Sequence, residues 1–140
     1  MVKPSELWDD NCTEREFVES GLQCFTRTIG SGHRCGYVSV EKGHPLYGLW
    51  IHEINEKYDI DVDGGITFAA GYDRYWILGW DAMHCWHKLD ISIMRTELRK
   101  VYEEHPELLC YEPNAILVDA DMAERETRRL ARQIAEIGAA

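Results

Sequence analysis

The chain has 140 residues, 45% of them hydrophobic and 11% aromatic, and a formal charge of −10 from 15 basic and 25 acidic residues. That length predicts one domain with a core that needs no metal or disulfide staples. The charge balance argues against general nucleic-acid binding, which must neutralise phosphates with Lys and Arg, and no run is apolar enough to predict a membrane span. The opening residues, MVKPSELWDDNC, lack a basic segment followed by an apolar stretch, so the expected location is the cytosol. Five cysteines at positions 12, 24, 35, 85 and 110 form no CxxC pair and read as free thiols of a reducing compartment.

In chain order, residues 5–20 mix acids with Leu7, Trp8, Phe17 and Val18 and read as a short helix or an irregular arm. Thr13 followed by Glu16 is a capping-box pattern that favours a helical turn there. Residues 22–28 and 34–40 are rich in β-formers and flank Gly30-Ser31-Gly32, which predicts a hairpin. Cys24 and Cys35 lie on its two arms, so a bridge between them under oxidation stays open. Pro45 suits a first helical turn, and Leu46, Trp50 and Ile54 recur at four-residue spacing, predicting a helix over 45–57. Residues 66–70 and 75–80 read as a second hairpin turning at 71–74. Ile91, Met94, Leu98 and Val101 share one face of a helix expected over 90–103. The last helix opens on a capping box of Asp121 and Glu124 and carries the stripe Ala123, Thr127, Leu130, Ile134 and Ile137. Arg125, Arg128, Arg129 and Arg132 fall on or beside its opposite face. The expected fold is α+β: one antiparallel sheet of about four strands, helices packed on one face, and a long C-terminal helix, all in a single domain over 1–140.

Asp59, Asp61, Asp63 and Gly64 imitate the start of a calcium loop, with Ile66 at the aliphatic position. Position twelve is Ala70, which has no side-chain oxygen to offer, and the residues before it read as strand. The expectation for 59–64 is therefore an edge strand, with Ile60 and Val62 facing in and the carboxylates facing out. His84, Cys85 and His87 could ligate zinc, but that spacing is not a structural zinc signature and no second ligand pair accompanies it.

The densest chemistry lies in YWILGWDAMHCWH, residues 75–87. Asp81 and His84 stand just past a strand, where an Asp can orient a His whose other ring nitrogen stays free. The alternative is a turn capped by Asp81 with His84 as a satisfied interior group. Trp76 and Trp80 share one strand face, either as core or as a stacking wall. His44, before Pro45, is the third polar candidate.

Read together, CGYVSV (35–40), GHPLYG (43–48), DVDGGITF (61–68), Trp76 and GWDAMH (79–84) occur in one order and spacing. They resemble a family of small uncharacterised proteins often encoded by phages and prophages, with motifs of the form GYVGV, GHPLYG, DVHGGLTF and WWxGFDCAHAGD and a C-terminal helix like ETRRLARQI. The resemblance covers residues 21–87 and the last helix. The chain departs from it at Asp63, where the family has His, and over Ala82–His87, where the family's Cys and final Asp are missing. Asp81, His84 and His44 match. The resemblance implies a phage-like setting, in the cytosol of the host. The expected function is a non-catalytic accessory protein that binds a small molecule or sequesters a host protein. Its ligand residues would be Tyr37, His44, Asp63, Thr67, Trp76, Asp81 and His84, with Gly64-Gly65 admitting close backbone approach. No cofactor is expected. The alternative is a hydrolase of nucleotide-like substrates, with a divalent metal and water activated by Asp81, His84 and His44.

Overall fold

A computed structural model describes residues 1–140. Five strands form one antiparallel sheet: β1 (Thr13–Glu19), β2 (Leu22–Ile29), β3 (His33–Glu41), β4 (Phe68–Tyr72) and β5 (Tyr75–Asp81), in the order β1-β2-β3-β5-β4. Three α-helices accompany them: α1 (Ile51–Lys57), α2 (Thr96–Glu104) and α3 (Ala120–Ala139). A separate two-residue parallel pair joins β6 (His87–Lys88) to β7 (Ile116–Leu117). No helix is long and apolar enough to cross a membrane.

Strand alternation sorts the side chains onto two faces. On one face Cys24, Val38, Val40, Leu78 and Trp80 meet Leu46, Ile54 and the α3 stripe of Ala123, Leu130, Ala131 and Ile134. On the other, Phe25, Cys35, Tyr37, Tyr75 and Ile77 are covered by Leu7, Trp8, Phe68 and Tyr72. Residues 13–19 are thus a fifth strand and not a helical turn. The capping pattern there is overridden because Phe17 packs on the main core and Arg15 reaches Asp121 at 2.7 Å and Glu124 at 3.1 Å on α3.

Several boundaries differ from the sequence expectation, each for a local reason. The helix of 45–57 begins only at Ile51, because the chain passes through Gly48 at φ +81°. The helix of 90–103 splits into a 3-10 turn at Ile91–Ile93 and α2. Asp90 N–H donates to the Gly32 carbonyl at 2.8 Å and Arg95 N–H to Gly30 at 3.0 Å, which ties this backbone to the β2–β3 turn. The strand expected over 66–70 starts at Phe68. Residues 59–64 form no strand. Val62 is buried and Ile60 packs on the core as expected, but Asp61 and Asp63 donate their N–H groups to Gln133 and Glu126 of α3. The α3 cap is Asp119, two residues ahead of the predicted box, accepting from Met122 N–H at 2.8 Å.

One sheet position sets how closely α3 can approach. A Cβ added at Gly36 would lie 1.9 Å from Thr127 Oγ1 and 2.4 Å from Trp80 Nε1. Those two groups are bonded to each other at 3.0 Å, and Thr127 donates on to the Ala123 carbonyl. Gly36→Ala must therefore lift the helix or break this buried chain. Thermal unfolding should register a loss of about 2 kcal/mol.

Cys24 and Cys35 project to opposite faces of the sheet, so they cannot pair. Burial pushes the Cys24 thiol up to about 12 and the Cys35 thiol to about 11. Cys85 and Cys110 are exposed. In the native protein near neutral pH, iodoacetamide should label Cys85 and Cys110 first, Cys12 more slowly, and Cys24 and Cys35 only after unfolding. Peptide mass spectrometry reads the order directly.

Candidate functional site

The end of β5 and the start of α3 are joined by a corner built from two turns. The first is Val62–Gly65, closed by Gly65 N–H donating to the Val62 carbonyl at 2.8 Å, with Gly64 at φ +75° in the position where such a turn favours glycine. The second begins at Asp81, whose Oδ1 accepts from Met83 N–H at 3.0 Å. It continues through His84, which donates its backbone N–H to His87 Nδ1 at 3.1 Å while its carbonyl accepts from His87 N–H at 2.9 Å.

Asp63 locks the two turns together. Its Oδ1 accepts from the indole N–H of Trp86 at 2.8 Å and its Oδ2 from His87 Nε2 at 2.7 Å. Because His87 Nδ1 already accepts from the His84 backbone, its proton resides on Nε2. The His87 side chain is fully buried and both its ring nitrogens are engaged. His84 lies flat on Trp86, with centroids 4.4 Å apart and planes at 8°. A Cβ at Gly64 would fall 2.3 Å from His84 Cε1, so only glycine leaves room for that ring.

Asp81 and His84 come together only loosely. Their closest atoms, Oδ1 and Nδ1, are 3.7 Å apart, and His84 Nδ1 is buried without a hydrogen-bond partner. Asp81 instead accepts the Thr67 hydroxyl at 2.5 Å on Oδ2. His33 is within electrostatic reach of this corner and bonds to the Ser31 hydroxyl at 3.0 Å. Burial holds His33 below the ordinary histidine value, with Asp81 pulling the other way.

Three other expected site residues lie elsewhere. His44 accepts Leu46 N–H on Nδ1 at 3.0 Å and donates Nε2–H to the Ile134 carbonyl at 2.9 Å, near the far end of α3. It holds the helix end and does not approach Asp81. Tyr37 is buried in the core on the sheet face away from α3, stacked on Phe25 and edge-on to Phe68. Trp76 shares the α3 face with Trp80, but it sits at the other end of β5, donating to the Leu49 carbonyl and packing on Trp50. The sheet fixes these separations, because five residues of strand place Trp76 about 17 Å from Asp81. The hydrolase set of Asp81, His84 and His44 is therefore not assembled, and no group of three or more His, Cys, Asp and Glu side chains converges to hold a metal ion.

Two openings flank this corner. On the His84 side lies a cavity of about 460 Å³ lined by His84, Cys85, His87, Tyr102, Cys110 and Tyr111 among others. On the other side is a groove of about 620 Å³ between α3 and β7. Its floor is Trp80, Trp86, Ile116, Val118 and Met122, and its polar lining is Asp63, Glu126, Arg125, Arg129 and Arg132. Trp86 lines this groove and His84, stacked on it, does not.

The sequence reading missed this groove. The motif match singles out Asp81 and His84 and not Trp86 or His87, His33 carries no local signal, and the arginine row has the spacing of an outer helix face. A usable signal was present. Arg125, Arg129 and Arg132 stand at i, i+4 and i+7 beside Met122, in a chain whose net charge is strongly negative. Comparison with protein-family models, with curated proteins and with solved structures gives no match.

Proposed function

We propose that this is a small phage-type accessory protein that acts by binding, without turnover, and that its ligand occupies the groove between α3 and β7. One observation carries the reading. The Trp86 ring is fixed at its N–H edge by Asp63 and on one face by His84, yet it remains 42% exposed. An aromatic surface already held in place loses little freedom when a ligand covers it. The polar groups behind it are engaged with one another: His87 through both nitrogens, Asp63 through both oxygens. None is left poised as a base toward the groove, and His84 lines the other opening. The motif resemblance supports the setting, a phage or prophage product working in host cytosol on a small molecule or a host protein.

The test combines thermal shift with chromatography of products, over a panel of nucleotides, cyclic nucleotides, acidic peptides and divalent metals. At least one panel member should stabilise the protein and be recovered intact. Metal-dependent conversion that disappears in His84→Ala, or stabilisation by no panel member, overturns the reading.

A further inference from the structure

Resting on that reading, we infer that the groove takes a nucleoside phosphate, with its base against the exposed part of Trp86 and its phosphate on Arg125 and its neighbours along α3. The groove is of small-ligand size, about 620 Å³, within the range that pockets for small molecules occupy. Arg125, Arg129 and Arg132 lie along one helix face over seven residues, a span of about 10 Å, comparable with one nucleotide.

The charges in the groove favour an anion despite the two carboxylates among them. Glu126 is covered by Arg129, which donates Nε and Nη2 to its two oxygens at 2.8 and 2.9 Å, and Glu126 also accepts Asp63 N–H at 2.7 Å. Asp63 already accepts from Trp86 and His87. Arg132 sits 3.6 Å from Glu19 and Arg128 is bound to Glu19 and Glu124. Arg125 is the one guanidinium of α3 with no carboxylate partner, and it is exposed. An unpaired guanidinium beside an apolar floor is a natural seat for a phosphate, which it can grip with two parallel hydrogen bonds. A flat, rigid indole is the matching seat for a base, since every base offers a π-face.

Titration calorimetry with AMP, adenosine, inorganic phosphate and a poly-glutamate peptide tests the assignment, with chromatography of the recovered ligand. AMP should bind at least tenfold more tightly than adenosine or phosphate alone, and its affinity should fall as salt rises. Arg125→Ala breaks no hydrogen bond or ion pair. It should weaken AMP about tenfold, leave adenosine unchanged and leave the melting temperature in place. Trp86→Phe should weaken AMP and adenosine alike and leave phosphate unchanged. Binding of the peptide without AMP overturns the nucleotide assignment while the binding reading stands. Binding of neither overturns both. AMP bound and converted keeps the ligand class and overturns binding without turnover.

Discussion

Arg34→Met is expected to lower stability by about 4 kcal/mol, the cost of leaving charges without their buried partner. The Arg34 side chain is only 7% exposed. Its Nε donates to Glu14 Oε1 at 2.8 Å, its Nη2 to Glu14 Oε2 at 3.1 Å, and its Nη1 to Asp90 Oδ2 at 2.7 Å and to the Val118 carbonyl at 3.0 Å. One guanidinium thus ties β3 to β1, to the turn before α2, and to the residue that leads into α3. Met fills the space and supplies none of these bonds. Arg34→Lys should recover little, because one ammonium cannot reproduce a planar fork with donors aimed three ways.

The acid side carries a second signature of the same contact. Burial works against ionised Asp90, yet the Ser92 and Arg34 hydrogen bonds hold its carboxyl below the usual value. A depressed native pKa stabilises the fold fully above the unfolded value of about 4 and loses that contribution as pH falls through the native one. Urea unfolding between pH 7 and pH 3 should show stability falling on the acid side. The fall should be shallower in Arg34→Met, where one of the two supports of the Asp90 carboxylate has gone. Equal slopes in the two proteins would mean that Arg34 does not tune Asp90.

What the sequence made legible follows the reach of each signal. The long C-terminal helix was readable because Ala123, Thr127, Leu130 and Ile134 repeat at helical spacing and all four are buried. The hairpin around Gly30–Gly32 was readable because β-formers flank a flexible turn, and β2 pairs with β3 there. β1 was not, because the local pattern of Thr13 and Glu16 points to a helix while the partners of Arg15 lie on α3, at the other end of the chain. The split before α2 was hidden for the same reason. Its cause is two backbone hydrogen bonds to the β2–β3 turn, and backbone bonds leave no mark on residue type.

Of the proposed groove, the sequence made the neighbourhood legible and not the pairing. Residues 75–87 do supply one wall, but the side chains that matter there bond across the fold. Asp63 reaches Trp86 and His87 from a turn that looked like a failed calcium loop. The arginine row looked like an ordinary solvated face, and only the placement of Ile116 and Val118 opposite it makes a groove. Nothing in the sequence of residues 106–118 announces that closure.

The pairing of Asp63 with His87 also bears on two of the three departures from the motif expected from the sequence. That motif has His at the position of Asp63 and Asp at the position of His87. The two changes are reciprocal, and they fall on two side chains bonded at 2.7 Å. If the bonded pair acts as one physical unit, each single exchange should fail and the double should recover. Asp63→His removes the acceptor from both Trp86 and His87 and should cost about 3 kcal/mol, the loss of a charge-assisted bond to a buried group. His87→Asp removes the donor and turns a second, shorter carboxylate toward Asp63 across a gap, which favours the protonated form of one of them. A raised pKa makes that variant lose stability as pH rises through it, the opposite of the behaviour Asp90 imposes. In Asp63→His/His87→Asp the pair is restored with donor and acceptor exchanged. The double-mutant cycle should then show a favourable coupling of about 2 kcal/mol, with indole fluorescence returning toward that of the parent as Trp86 settles again. Strict additivity of the two losses would mean that positions 63 and 87 act separately, and that the corner behind Trp86 is held by His84 and Gly64 alone.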